Sequence, residues 1–375
     1  MPAHELNRYL MESKTDIHDK SIDYLVMGNE AADLDSMASA IGYAYLLAAT
    51  KTDKTIVPVM PIPRVDFKLR TEAVYVFAKA GIDVTNLIFL DDIDFESVLK
   101  RVTGLVLVDH NQLSGLLAPH GNKVAIILDH HKNEHLYPHA AKKLIAPVGS
   151  TATLVGEQWL THCPDLVDAH LALLLWGTLL LDTVNLDTGA GRVTPRDEKM
   201  SAILMKSCPL GQAQYFDAVQ KAKFKIADLG TFDLLRKDYK LFQLEKISWG
   251  IASALLPLAR WGEKDTKLCL GFETYAHGRN LDLLVSMNAY TDKGFSREIA
   301  IYCKNIGLHD QLIEFLQEKQ LGLTPIRLGD QSPCLEGKIS FHRQGNLRIS
   351  RKKLSPLLAD YFHSQNSNTL QTRIQ

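Results

Sequence analysis

Short apolar runs alternate with amphipathic stretches through the first half of the chain. Residues 24–27, 55–59, 87–90, 105–108 and 124–128 are apolar runs of strand length. Helical patterning fills several of the gaps, at residues 71–80 and 95–102. The small-residue-rich stretch 37–49 follows Asp33-Leu34-Asp35-Ser36, which supplies capping residues. Strands alternating with helices predict an α/β domain built on a largely parallel sheet. Further helices are expected from Ser150-Thr151 to about residue 161, at 166–181, which is apolar nearly all round, and from Pro195, a tolerated first-turn proline.

The pattern changes near Pro209-Leu210-Gly211, which sets the expected domains at 1–208 and 209–375. Beyond it, helices at 212–225, 232–238 and 309–319 mix with strands at 247–257, 281–289 and 298–302, and a last helix starts at Ser350. That mixture predicts a second, smaller α/β or α+β domain. Residues after Phe362 read as a disordered tail.

The chemistry is concentrated where strands end. Residues 124–128 run into Asp129-His130-His131, residues 105–108 into Asp109-His110-Asn111, and residues 24–27 into Gly28-Asn29-Glu30 and then Asp33 and Asp35. Carboxylates and neutral imidazoles ligate divalent metals, and the carboxyl edge of a parallel sheet is where ligands bind. Asp182 closes the apolar 166–181 stretch, where a carboxylate is costly to bury unless it is paired, caps the helix or holds a metal. Asn29 and His110 are candidate substrate contacts, Asn29 offering a neutral amide oxygen and His110 an imidazole beside the carboxylates, and each also admits a bland reading, as a turn residue and a core residue.

Length and charge narrow the choices. A chain of 375 residues is long for one core, and a net charge of −1 argues against a nucleic-acid coat. Any polyanionic substrate must therefore be drawn by a local patch. Five scattered cysteines, without metal-finger spacing, suit free thiols in a reducing compartment. The polar first 20 residues lack a secretory core, and the longest apolar run, 171–181, is too short to span a bilayer, so a cytoplasmic protein without membrane partners is expected.

In order and type, Gly28-Asn29-Glu30-Ala31-Ala32-Asp33-Leu34-Asp35-Ser36, Asp109, Asp129-His130-His131 and Asp182 resemble the motifs of the DHH phosphoesterases. Ser350-Arg351-Lys352-Lys353, followed by Pro356, is similar to the accessory domain shared by family II inorganic pyrophosphatases, eukaryotic cytosolic exopolyphosphatases and prune proteins. The resemblance implies two divalent metal ions, manganese, magnesium or cobalt. Asp109 and Asp182 would be shared, Asp33 would serve one ion, and Asp35 with His130 the other. His131 would remain for substrate contact or acid catalysis, which an imidazole suits. Family II pyrophosphatases carry His where this chain has Asn29, a departure that points to the exopolyphosphatase and prune branch.

Residues 337–359 contain no acid but hold Lys338, Arg343, Arg348, Arg351, Lys352 and Lys353. The segment enters a helix whose N-terminus favours anions, and Arg351 and Lys352 are the leading phosphate ligands. Lys240 is similar to a substrate lysine of the family, and His342, Arg343 and Arg348 are further candidates. In the first half, Lys68 and Arg70 are expected to sense chain beyond the terminal phosphates. Catalysis is expected where metals on the first domain meet cations on the second. The implied activity is an exopolyphosphatase acting on inorganic polyphosphate. The alternatives are a prune-like short-chain polyphosphatase or cyclic-nucleotide phosphodiesterase, an inorganic pyrophosphatase, and a catalytically idle binding protein.

Overall fold

The computed structural model describes residues 5–225, 229–292, 294–328 and 338–371, with side chains to residue 364. The chain divides into two compact units, Met1–Lys225 and Ile226–Gln375.

The first unit is a five-stranded parallel sheet in the order β2-β1-β3-β4-β5. Its strands are β1 Ile22–Met27, β2 Ile56–Val59, β3 Val102–Val108, β4 Val124–Asp129 and β5 Lys142–Ile145. The strand order reverses between β1 and β3, and that switch point opens a crevice at the carboxyl edge. Buried on both faces, the central strands β3 and β4 read as continuous apolar runs rather than alternating ones.

Gly28 lets β1 end hard against the next helix. A Cβ there would lie 1.9 Å from Ser36 Oγ and 2.7 Å from Ser36 O, so only glycine fits. Asp33 then caps the helix Leu34–Thr50, its Oδ1 accepting from Ser36 N at 3.0 Å. That helix and the helices Thr151–His162 and Ala169–Asp182 bury Met37, Ile41, Val155, Trp159, Leu175 and Trp176 in one core.

Several boundaries differ from the sequence expectation. Residues 87–90 form no strand: two short 3-10 turns flank a single parallel bridge from Phe89 to Met60. The edge is completed instead by β5, whose Lys-Lys-Leu-Ile sequence carries no apolar run. The chain also opens with an unanticipated helix, Glu5–Asp19. The units part at Lys225, later than residue 208, because helix Gln212–Lys223 places Tyr215, Phe216 and Val219 in the first core. Tyr215 hydroxyl donates to Leu173 O at 3.0 Å, and its ring lies 5.7 Å from that of Trp176.

The second unit holds a six-stranded mixed sheet in the order β10-β11-β9-β8-β7-β6. The strands are β6 Tyr239–Leu244, β7 Ile247–Ala254, β8 Leu283–Thr291, β9 Phe295–Cys303, β10 Leu323–Pro325 and β11 Ile339–Gln344. Only β7 and β8 run parallel. Leu312, Leu316, Leu354 and Leu358, from the helices Ile306–Glu318 and Arg351–Gln371, pack on Ile299, Ile301 and Val285. The last helix continues to Gln371, so the expected tail after Phe362 is helical for most of its length.

Cys163, Cys208 and Cys303 are free, but Cys269 is disulfide-bonded, which corrects the expectation of free thiols throughout. Sequence spacing is silent on which cysteines the fold brings together. No helix among the described residues is long and apolar enough to cross a membrane.

Candidate active site

Strands β1, β3 and β4 deliver their terminal residues to the crevice beside the switch point. Asp109 follows β3 with φ +62°, a left-handed conformation that costs a non-glycine residue energy and concentrates at functional sites. Its carboxylate is 2% exposed. His130 Nε2 lies 3.3 Å from Asp109 Oδ1 and 3.9 Å from Asp35 Oδ2. His130 Nδ1 is 2.9 Å from Val148 O, which holds a proton on Nδ1 and turns Nε2 toward the carboxylates. A metal-ligating histidine is commonly oriented by such a backbone carbonyl.

Asp35 is held with equal care. Its Oδ2 accepts from Thr151 N at 2.7 Å, and its Oδ1 from Ala152 N at 3.0 Å and Ser39 Oγ at 2.9 Å. The first two donors open the helix Thr151–His162, so a helix N-terminus faces the carboxylate. Thr151 Oγ1 also donates to Asp109 Oδ1 at 3.2 Å. The loop carrying these donors is tied down by Asp197, a fully buried carboxylate that accepts from Gly149 N, Thr153 Oγ1 and Thr194 N.

The electrostatics indicate what the site suits. Burial, with the charge of Asp35, pushes the Asp109 carboxyl up to about 8, although its hydrogen bond with His130 pulls the other way. Burial, then the charges of Asp35, Asp33 and Asp109, raises Asp182 well above the carboxylate range. For His130, burial opposes protonation, but the hydrogen bond to Asp109 and the charge of Asp35 outweigh it and raise it to about 10. Asp182 Oδ2 is buried with no hydrogen-bond partner. An orphaned oxygen and mutually repelling carboxylates, with an imidazole held among them by its attraction for a proton, fit a divalent cation, which takes the place of that proton and neutralises the carboxylates. Among the described residues, the tightest potential ligand group is Asp109, His130 and His131, with ligand atoms within 4.8 Å of one another.

His131 is engaged differently from His130. Its Nδ1 lies 2.9 Å from Asp129 Oδ1 and 3.6 Å from Asp109 Oδ1. Asp129 is fully buried, and it accepts in addition from the N–H groups of His130 and His131 and from Asn111 Nδ2. The hydrogen bond that His131 donates to Asp129 raises the His131 pKa above its ordinary value, against the effect of burial. Asp129 therefore orients an imidazole rather than offering itself to metal. Asn111, 4% exposed, holds Asp129 and also bonds Lys132 O and Glu134 N. Sequence reasoning passed over Asn111, although its place two residues after Asp109 was a signal.

Asn29 lies beside Asp109 and spends both ends of its amide. Oδ1 accepts from Ala31 N at 2.9 Å, so Nδ2 faces Asp109, donating to Oδ2 at 2.7 Å. The residue serves as turn former and carboxylate clamp together. His110 Nδ1 bonds Val108 O at 2.9 Å, and burial lowers its pKa. The neutral ring thus presents an acceptor at Nε2, poorly suited to a bare phosphate oxygen.

The cations expected to sense chain are placed unevenly. Arg70 directs Nε and Nη2 onto Ala31 O at 3.1 and 2.7 Å, and Nε onto Ala32 O at 3.2 Å, clamping the loop ahead of Asp33. Its guanidinium is thereby a loop fastener. Lys68 is exposed.

In the second unit, Lys240, Arg343, Arg348 and Lys352 are exposed. Arg351 opens its helix, with Nη1 on Asp238 O at 2.9 Å and Asp238 Oδ1 at 2.6 Å. His342 is a correction. It is 6% exposed, its Nε2 meets Ser340 Oγ at 2.8 Å, and burial lowers its pKa to about 4, so it carries no charge for phosphate. Strand alternation turns Arg343 outward and His342 inward.

Residues 23–178 match the DHH family, N-terminal domain, and residues 217–361 match the DHHA2 domain. The chain is 34% identical over 362 residues to the exopolyphosphatase PRUNE1 of Mus musculus, covering 94% of this chain and 78% of the mouse protein. It is 33% identical over 369 residues to the Homo sapiens exopolyphosphatase PRUNE1, covering 95% and 80%. A manganese-dependent inorganic pyrophosphatase of Methanocaldococcus jannaschii is 28% identical over 235 residues, 60% of this chain and 69% of that protein.

Proposed function

Because the chain belongs to the DHH family and carries a DHHA2 domain, we propose that it is a metal-dependent exopolyphosphatase releasing orthophosphate from the end of inorganic polyphosphate. The observation that carries this reading is the intact set Asp33, Asp35, Asp109, His130 and Asp182 in a chain one-third identical to exopolyphosphatases along nearly its whole length.

Those five residues would hold two divalent ions, manganese, magnesium or cobalt. Bound there, such ions activate water and neutralise phosphate oxygens. The protein's own groups do the rest. Asn29 and Thr151 fix Asp109, while Thr151 N, Ala152 N and Ser39 Oγ fix Asp35, so the ligands stand in place before the ions arrive. Asp129 holds the Nδ1 side of His131, leaving Nε2–H of the protonated ring to donate to the leaving oxygen. Arg351 and Lys352 bind phosphate oxygens, the first as a planar fork and the second as a point charge, with Lys240, Arg343 and Arg348 available to a longer polyanion.

The test is orthophosphate release from long-chain polyphosphate, pyrophosphate and a cyclic nucleotide, side by side, with manganese, magnesium and cobalt. Highest kcat/KM on polyphosphate is expected. Preference for pyrophosphate or for the cyclic nucleotide would overturn the assignment.

A further inference from the structure

A cavity of about 240 Å³ opens beside Asp109, entirely within the first unit, and His110, Gln112, His131, Lys132 and Glu134 form its outer wall. Among the described residues, Lys132 is the one lysine or arginine on that wall. Its side chain is exposed, and neither its ammonium nor the Gln112 amide is hydrogen-bonded to a described residue. The backbone from Lys132 to Glu134 is nonetheless fixed. Asn111 donates to Lys132 O at 3.0 Å and accepts from Glu134 N at 2.8 Å, and the same buried side chain holds the carboxylate that orients His131.

We propose that this cavity is the subsite of the leaving phosphate, with Lys132 and Gln112 as its donors and Glu134 limiting the negative charge it accepts. The inference rests on the phosphoanhydride reading above. Water's oxygen bonds the terminal phosphorus as the bridging P–O bond breaks, and the electron pair stays on the bridging oxygen. His131 donates its proton to that oxygen. One proton of the water remains on orthophosphate, and the other returns to His131 through solvent. The departing phosphate must therefore lie against His131, within this cavity. Charge grows on it as the bond breaks, and a compact ammonium rooted one residue from His131 is placed to meet that charge. Glu134 repels those phosphate oxygens that Lys132 and Gln112 leave unneutralised.

The experiment uses the full chain loaded with manganese and the variants Lys132→Gln, Lys132→Arg and Glu134→Gln, each checked by its melting temperature. Titration calorimetry with imidodiphosphate, whose P–N–P bridge resists hydrolysis, reads binding without turnover. Tripolyphosphate hydrolysis reads kcat and KM. Lys132→Gln is expected to weaken imidodiphosphate by about tenfold or more and to lower kcat/KM at least as much. Lys132→Arg should retain most of both, and Glu134→Gln should tighten imidodiphosphate. Unchanged imidodiphosphate affinity in a folded Lys132→Gln overturns the subsite, and unchanged or weaker binding in Glu134→Gln overturns the role of that carboxylate. If wild type binds imidodiphosphate through Lys132 yet releases no orthophosphate from polyphosphate, the subsite stands and the exopolyphosphatase reading falls.

Discussion

Asp129→Asn exchanges one oxygen of a fully buried carboxylate for an amide in a place where every neighbour is a donor. Oδ1 serves His130 N, His131 N and His131 Nδ1, while Oδ2 serves Asn111 Nδ2. The new NH2 must face one of these sides. Turning it toward Asn111 opposes one donor instead of three, so that orientation wins and leaves a buried donor pair unsatisfied. The cost is about 1–3 kcal/mol of stability. The kinetic effect is larger. His131 Nδ1 then donates to a neutral amide oxygen instead of a carboxylate, so the hydrogen bond and charge of Asp129 that raise the His131 pKa are weakened, the pKa falls and the protonated acid is depleted. Acid catalysis contributes about 10²–10⁴-fold, and a loss within that range in kcat is expected near neutral pH. Because the acid form is the active one and it disappears as pH rises, the alkaline limb of the kcat profile should move to lower pH. Orthophosphate release from tripolyphosphate across pH 6–9, with melting curves at saturating manganese, measures both effects. A double-mutant cycle with Asn111→Ala isolates the donor clash, and the pair should be less destabilised than the sum of its singles. Wild-type melting together with an unmoved alkaline limb would refute the argument.

Four further outcomes follow from the same geometry. Asp109→Asn should abolish turnover and weaken manganese binding in calorimetry while the protein stays folded, since the variant removes the charge that His130 and the metals face. In chelator, Asp109 binds its proton more tightly when folded, at about 8, than when unfolded, so its favourable contribution is complete at low pH and is lost as pH rises through about 8. Melting of the chelated protein should therefore fall between pH 6 and 9, and manganese should raise it more at pH 9 than at pH 6. Arg70→Lys should lower stability and metal affinity through the Ala31–Ala32 loop, and impair long and short polyphosphates equally; a selective loss on long chains would restore the chain-sensing role. Arg351→Ala should reduce kcat/KM on every phosphoanhydride by about tenfold or more, consistent with about 1.5–3 kcal/mol for a hydrogen bond to a charged group.

The places where strands end were legible in the sequence because burial on both faces writes continuous apolar runs, and Asp109, Asp129, His130 and His131 stand at the ends of two of them. The N-terminal cap at Asp33 was legible for a similar local reason, since an Asp three residues before Ser36 satisfies a helix donor wherever the chain goes next. What each polar group does there was not legible. Asn29, Arg70 and Thr151 owe their roles to partners 39 to 116 residues distant, at Asp109, Ala31 and Asp35. For Asn111 the partner is nearer, only 18 residues away, but on a different strand. Helix 212–223 shows the same limit: its amphipathic pattern predicted a helix, but only packing against Leu173 and Trp176 assigned it to the first unit. His342 and Arg343 are adjacent and both cationic in type, yet the pleat sent one inward to lose its charge and the other out to water. Periodicity and local capping are properties of neighbouring residues and survive in the sequence; hydrogen-bond partners, protonation and domain membership are set by contacts between distant ones, and these exist only after the chain has folded.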